Sequence, residues 1–361
     1  MTADKHSDVP KIGVVGAGIA GITATLALLN AGYRVCLFEK SSGRSARSEA
    51  DRVEGFGLGG RSATRRSSAG SFDHGPPGFT ASDPMFRAVV DSAAESGWAA
   101  DWPDGEADLL SGRDGPAFVG LPGASGFPRG LIAASGLDPA ADDWGSDGRL
   151  SRRGACLAIE ADDRSEATGW TIASSGAGED LTSAIAAMIL AVPAPQAAAL
   201  LAPLDEPAVQ AALASVEMAP MLTAMVAFET ALPAAADRAS HPAIAKALRL
   251  SSMPGRHGDT DRWVLHATEV WSREHLDREK DAIAEELLAA WGETVGPLSL
   301  THYLAGHRWR YALTKTPLGQ PCLWDAATRL GLCGDWCLGD GVEHAWRSGR
   351  AMAAQVIASL D

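Results

Sequence analysis

Three glycines and an acid carry the first recognisable chemistry in this sequence. Gly16, Gly18 and Gly21 stand in Lys11-Ile-Gly-Val-Val-Gly16-Ala-Gly18-Ile19-Ala20-Gly21, and Glu39 closes the next apolar run, Val35-Cys-Leu-Phe-Glu39. The first glycine permits a tight strand-to-helix turn, the second lets backbone amides approach a pyrophosphate at the helix N-terminus, and the third lets helix and sheet lie close. An acid at the end of the second strand accepts hydrogen bonds from a ribose diol. A glycine-rich turn in any α/β unit would account for the glycines alone. Strand, helix, second strand and acid in register point to a bound dinucleotide. Ile19 and Ala20, in the first helical turn, and Lys40, beside the acid, join the same cofactor-binding set.

The other end of the sequence indicates which dinucleotide. Leu330-Gly-Leu-Cys333-Gly334-Asp335-Trp336 is an apolar run ending in Gly-Asp, and a helical stretch follows from Gly341. A nicotinamide dehydrogenase has no need of this second piece. In a flavoprotein the acid binds the ribityl chain, and the helix N-terminus, with Val342, Glu343 and Ala345 in its first turn, faces the isoalloxazine edge where negative charge gathers on reduction. Gly-Asp also occurs in plain turns, so the reading rests on its pairing with the Gly16 site and the closing helix. The expected cofactor is FAD, held noncovalently, and no metal site is expected.

The elements that must position these residues form an α/β fold, a Rossmann-type FAD-binding domain with an interleaved mixed-sheet (α+β) substrate domain. The expected division of the 361 residues is 1–75 for the N-terminal part of the FAD-binding domain and 76–185 for a mixed, largely substrate-domain segment connected to it. Residues 186–205 return to the FAD-binding domain, 206–320 form the substrate domain, and 321–361 complete the FAD-binding domain. Helices are predicted at 84–95, 207–216 and 279–291, with Asp83 as an N-cap before Pro84. Strands are expected at 170–173, 187–192, 222–228, 247–251, 262–268 and 298–304, and loops at 98–114 and 135–152.

A net charge of −14 argues against nucleic acid or an anionic membrane surface as a partner. No stretch is long and apolar enough to span a bilayer, and residues 1–10 lack the pattern of a signal peptide, so a cytoplasmic enzyme is expected. The five cysteines, Cys36, Cys156, Cys322, Cys333 and Cys337, are scattered in apolar runs and read as buried thiols in a reducing compartment. A redox pair of Cys333 and Cys337 has no thioredoxin-like motif around it.

A longer series of motifs carries a family likeness. In order, Gly59-Gly60-Arg61-Ser-Ala-Thr64-Arg65-Arg66, Phe72-Asp73-His74-Gly75, Ala191-Val-Pro193-Ala-Pro-Gln196, Pro254-Gly-Arg256, Trp263-Val-Leu-His266-Ala, His307-Arg-Trp309-Arg310-Tyr311, Cys333-Gly-Asp-Trp336 and Val342-Glu-His-Ala-Trp-Arg-Ser-Gly349 run through most of the chain. The sequence resembles the bacterial renalase-like proteins of the flavin-containing amine oxidase superfamily. That resemblance implies an active site at the flavin face between the two domains. It also implies oxidation of off-pathway dihydronicotinamide isomers of NAD(P)H to NAD(P)+, with electrons passing through FAD to dioxygen and hydrogen peroxide released. By the same likeness Arg44, Gly59, Gly60, Arg61, Thr64, Arg65 and Pro193 join the cofactor contacts, Arg61 foremost because the Gly59-Gly60 pair lets the backbone approach.

The catalytic candidates are few, because a hydride acceptor needs mainly a substrate carbon held near its N5 atom. His266, on a strand that the family places at the substrate cavity, is the first choice as a polar orienting group or proton acceptor, against the alternative of a satisfied core histidine. Trp309 is a cavity wall or a packing residue. Arg310 grips an anionic group or forms a surface ion pair. The departures from the family matter too. Where the relatives write Asp-His-Gly-Ala-Gln-Tyr-Phe-Thr this chain has Asp73-His74-Gly75-Pro76-Pro77-Gly78-Phe79-Thr80, a Ser-Lys-Pro-Gly element reads Ser252-Met253-Pro254-Gly255, and extra residues separate Lys40 from Gly59. If Gly78 takes the tyrosine's place the cavity widens there, which predicts slow reduction by dihydronicotinamides and a bulkier natural substrate. Three readings stay open: a renalase-like FAD oxidoreductase with a small-molecule substrate and dioxygen as acceptor, a tailoring flavoenzyme acting on an amine or biosynthetic intermediate, and a non-catalytic flavin-binding protein.

Overall fold

The dinucleotide unit nucleates a six-stranded sheet in the computed structural model, which describes residues 9–40, 58–103, 114–139, 149–161, 169–175, 179–233, 236, 240–256, 258 and 260–360. Strand β1 (Lys11–Val15) lies parallel between β2 (Arg34–Phe38) and β12 (Ala187–Leu190). Beyond them β8 (Leu150–Arg153) extends the β2 side, and β18 (Leu330–Leu332) with antiparallel β17 (Leu323–Asp325) extends the other. The central strands are near-continuous apolar runs because both faces of a parallel sheet are covered. Ile12, Val14, Val35 and Leu37 meet α1 (Ile19–Asn30) and α8 (Val342–Leu360) on one face. Val15, Cys36 and Phe38 meet β9 (Cys156–Ala161), β10 (Trp170–Ser175), α4 (Ala194–Leu201) and α5 (Pro207–Ala214) on the other, where β11 (Glu179–Ile185) completes a three-stranded sheet.

The second sheet is antiparallel, in the order β14 (Ile244–Arg249), β15 (Asp261–Ala267), β13 (Glu217–Phe228) and β16 (Thr301–Thr316). Leu222, Ala224, Val226, Trp263 and Leu265 turn one face onto α7 (Lys280–Val295), and short α6 (Glu269–Glu274) follows β15. The opposite face, through Met225, Ala227, Leu248 and Val264, packs on Phe72, Trp102 and Val119. Those three come from the hairpin of β3 (Thr64–Ser67) and β4 (Gly70–Asp73), and from or beside the small sheet of β5 (Phe79–Thr80), β7 (Ala117–Gly120) and β6 (Ala99–Asp101). Period-2 alternation places the two residue sets on opposite faces.

The helix expected at 84–95 is α2 (Pro84–Glu95), and the Asp83 carboxylate accepts from the amides of Met85 and Phe86 as an N-cap should. The expected loops at 98–114 and 135–152 instead contain β6 and the start of β8. Helix α3 (Gly126–Ala134) has no propensity signal, because glycines and a proline fill its first turns. Its glycines answer a packing demand: a Cβ on Gly130 would come 2.6 Å from Trp98 Cβ.

Candidate active site

At the dinucleotide end, the turn from β1 to α1 is built as the glycine spacing requires. A Cβ on Gly21 would stand 1.9 Å from the Gly16 carbonyl oxygen, so only glycine lets the helix lie this close to the turn. Over Gly18, by contrast, a Cβ would meet nothing within 4 Å, and no side chain caps the helix it begins. Gly59 donates its amide to the Ala17 carbonyl at 2.9 Å and Gly60 crosses beside Gly18, which brings Arg61 to this opening. Arg61 pairs with Asp335 at 2.5 Å and donates to the Ala312 carbonyl at 2.8 Å. Asp335 follows β18, as the Gly334-Asp335 pair predicted.

The residues present fit a dinucleotide. Open space above an uncapped helix start favours the anionic pyrophosphate, Arg61 supplies a fixed cation, and Asp335 supplies a buried carboxylate for hydroxyl groups. Glu39 stands at the end of β2, where one of its oxygens accepts from the Ala17 amide at 2.9 Å. Ile19, Ala20 and Val342 are buried beside this turn region, Ala345 donates its amide to the Gly341 carbonyl, Pro193 immediately precedes α4, and Lys40 is exposed. Asp335→Ala is expected to leave the fold intact and weaken FAD by about ten-fold to a hundred-fold. Flavin retained through gel filtration as well as in wild type would overturn that role.

Several of the expected site residues have side-chain partners within the protein. Both Glu343 oxygens accept from the Ser82 amide and hydroxyl and the Asp83 amide, at 2.6 to 3.0 Å, so this carboxylate pins the start of α2 to α8. The Thr64 hydroxyl donates to Asp73 at 2.6 Å and accepts from the Ser125 amide. Arg310 pairs at 2.9 Å with exposed Asp277, the surface alternative weighed above. Arg44 lies outside the described residues. The widening expected at Gly78 is absent: a Cβ there would sit 2.7 Å from the Phe118 carbonyl oxygen and 2.9 Å from the Trp102 ring, which already occupies the space. Pro76, Pro77 and Gly78 do line a small cleft with Ser62, Phe127 and Val342.

Three imidazoles gather on the inner face of the antiparallel sheet. His266 stands opposite Thr223, and Thr223 opposite His307, across β15, β13 and β16. Over them lies His74, whose ring is 4.5 Å from His307 and 5.0 Å from Trp309, centroid to centroid. The His74 carbonyl accepts from Trp309 Nε1 at 2.8 Å and from the Thr223 hydroxyl at 3.4 Å, and the His266 ring also bonds the His74 backbone. His74 itself is held by its neighbour: Asp73 accepts from Arg256 Nη2 at 2.6 Å and Nε at 2.9 Å, both residues being buried. Sequence reasoning quoted Asp73, His74, Arg256 and His307 within motifs and gave them no role. A signal existed for His307, because a wall at Trp309 puts the residue two positions earlier on the same strand face.

Burial pushes all three rings toward neutrality: His74 falls to about 4 with help from Arg65, His266 to about 3 with help from Lys246, and His307 to about 2 with help from His74, Lys280, Arg65 and Lys40. In the unfolded chain a histidine protonates near its ordinary value of about 6.5, so below that pH the unfolded state binds more protons than the folded one. Stability is therefore complete above about pH 6.5 and is lost as pH falls toward the folded values, by more than about 1 kcal/mol per pH unit. Urea midpoints measured across this window check the sign. A midpoint unchanged down to about pH 4.5 would mean that these imidazoles titrate as exposed groups.

Cys333 and Cys337 are buried free thiols, pushed upward by burial, Cys337 to about 12. No cluster of residues able to hold a metal occurs among the described residues, and none of their helices is long and apolar enough to cross a membrane.

A glycine-turned Rossmann sheet combined with an antiparallel sheet that carries imidazoles and an indole fits an oxidoreductase whose redox power comes from a dinucleotide. Residues 14–93 match the NAD(P)-binding Rossmann-like domain and residues 106–357 match flavin containing amine oxidoreductase. The chain belongs to the flavin containing amine oxidoreductase family, an enzyme family whose cofactor is FAD. Its fold is shared with a structure assigned as a protoporphyrinogen oxidase from Exiguobacterium sp. 255-15 (TM-score 0.65, 14% identity, 97% of this chain and 99% of the other). Cyclohexylamine oxidase from Brevibacterium oxydans IH-35A gives TM-score 0.60 at 14% identity over 98% and 99% of the two chains. A triple variant of putrescine oxidase redesigned in cofactor binding gives 0.59 at 12% over 97% and 99%.

Proposed function

We propose that this flavoenzyme oxidises a small organic substrate that reaches the site neutral or anionic, as renalase-like enzymes oxidise dihydronicotinamide isomers, in preference to a protonated alkylamine. The observation that carries this reading is the electrostatic character of the inner sheet face. The imidazoles there are uncharged, the cations Lys40, Arg65, Lys246 and Lys280 act on them, and the buried carboxylate of Asp73 is neutralised by Arg256. Among the described residues an ammonium group would find no free counter-ion on this face, whereas a neutral ring or a phosphate-bearing molecule would meet no repulsion from them. Bound FAD would supply the two-electron redox chemistry, with dioxygen as the terminal acceptor, and the residues of this face would only place the substrate. Trp309, tied through its indole N–H to the His74 carbonyl, supplies a fixed wall for a planar ring. Arg310 has no part in this reading.

Anaerobic rapid mixing with each dihydronicotinamide isomer, cyclohexylamine and putrescine tests the reading. Stoichiometric bleaching by a dihydronicotinamide, followed by peroxide release on admitting air, is the expected result. Bleaching by the amines with none by the dihydronicotinamides would overturn it. A second reading, a tailoring oxidation in biosynthesis, draws on the Pro76-Pro77-Gly78 segment along the cleft beside Val342, which would admit a differently shaped substrate from that side.

A further inference from the structure

We propose that His307, rather than His266, is the imidazole that contacts the substrate. The inference rests on the reading of this sheet face as an oxidase pocket and adds the side chain that selects the substrate's polar group. Lys246, His266, Thr223 and His307 stand opposite one another in a single row across β14, β15, β13 and β16, and residues paired across an antiparallel ladder share a face. The two histidines of the row occupy very different places. His266 is on an interior strand and 2% exposed, its ring is held by the His74 backbone, and its Nε2 is sealed away without a hydrogen-bond partner among the described residues. It is a strut beneath His74.

His307 is on the edge strand and is the one member of the imidazole trio with open surface. Its ring is fixed on two sides, edge-on to His74 and 4.3 Å from the Trp309 ring. From behind, Gly306 lies so close to the start of α7 that a Cβ would come 1.9 Å from the Lys280 carbonyl oxygen, which stops the strand from shifting. Lys40 after β2, Arg65 on β3 and Lys280 at the start of α7 each oppose protonation of the ring, and none of them forms a salt bridge among the described residues. A fixed, uncharged imidazole in that surround makes one directional hydrogen bond and takes no proton, so its work is to choose and orient a polar group on the substrate.

The test compares His307→Phe, His307→Gln and His266→Gln holoenzymes, driven by whichever dihydronicotinamide or amine bleaches the wild-type flavin. Diethyl pyrocarbonate labelling of the wild-type holoenzyme, located by peptide mass, is a measurement that needs no turnover. His307→Phe is expected to keep its FAD and lose about a hundred-fold in kcat/KM, His307→Gln to recover most of that loss, and wild-type kcat/KM to stay flat from about pH 5.5 to 8. The label is expected at His307 before His74 or His266. A His307→Phe variant within about three-fold of wild type, or labelling of His266 as fast as His307, would overturn the proposal. If only an amine reduces the flavin, the substrate reading fails while the His307 comparison is made with that amine. If nothing reduces it, the labelling order decides.

Discussion

Arg256→Met is expected to destabilise the enzyme by about 3–5 kcal/mol, enough to unfold much of it at ordinary temperature. Arg256 and Asp73 have side chains only 4% and 2% exposed, and the guanidinium places two donors on one carboxylate oxygen. Its third nitrogen, Nη1, donates to the carbonyls of Gly120 and Pro254. Removing the arginine strips those two acceptors and leaves Asp73 buried with its remaining bonds, from Thr64 and the Ala124 amide, to hold the charge. The turn that carries His74 would loosen with it. The paired change Asp73→Asn with Arg256→Met should recover a large part of the stability, because no unpaired charge remains. Urea unfolding of the holoenzyme measures both. Equal stability of Arg256→Met and wild type would show that the pair is not closed in solution.

The second large effect concerns Gly21. Gly21→Ala should yield protein without flavin that added FAD does not restore. The new methyl group would overlap the Gly16 carbonyl at 1.9 Å, so α1 would have to withdraw from the turn. It has nowhere to go. On its far side α8 crosses so closely that a Cβ on Gly349 would lie 2.2 Å from the Ala20 carbonyl oxygen. Overpacking at a wedged position costs about 1–3 kcal/mol or more and displaces backbone. Gly18→Ala is the informative partner, because a Cβ there meets no protein atom. It should fold normally and weaken only the cofactor. The ratio of visible flavin absorbance to protein, before and after incubation with FAD, separates the two. A yellow Gly21→Ala protein would refute the wedge.

What could be read from the sequence was mostly local. The Gly16 turn, the Asp83 cap and the strand before Asp335 are each decided by a few neighbouring residues, and the structure places them where their chemistry demands. The side-chain partners of Glu343 and Thr64 were not legible, because Ser82 and Asp73 reach them only through the folded chain. Gly78 misled for the same reason: what fills the space beside a glycine is set by Trp102, on another segment. Strand β16 was foreseen only at its start. Its face alternates weakly because a row of polar groups, His307 among them, stands where a structural strand would carry aliphatic side chains.

The contact between α1 and α8 also bears on how the enzyme is made. Helix α1 finds its packing partner in a helix translated after the whole antiparallel sheet, and β12 receives its outer neighbour β18 only then. Domains usually fold as units while synthesis proceeds, but here the nascent N-terminal half holds an unfinished nucleotide sheet with an uncovered helix. Flavin loading is thus expected late in biogenesis, and a stalled or truncated chain would present that bare apolar surface to chaperones rather than a partly active enzyme.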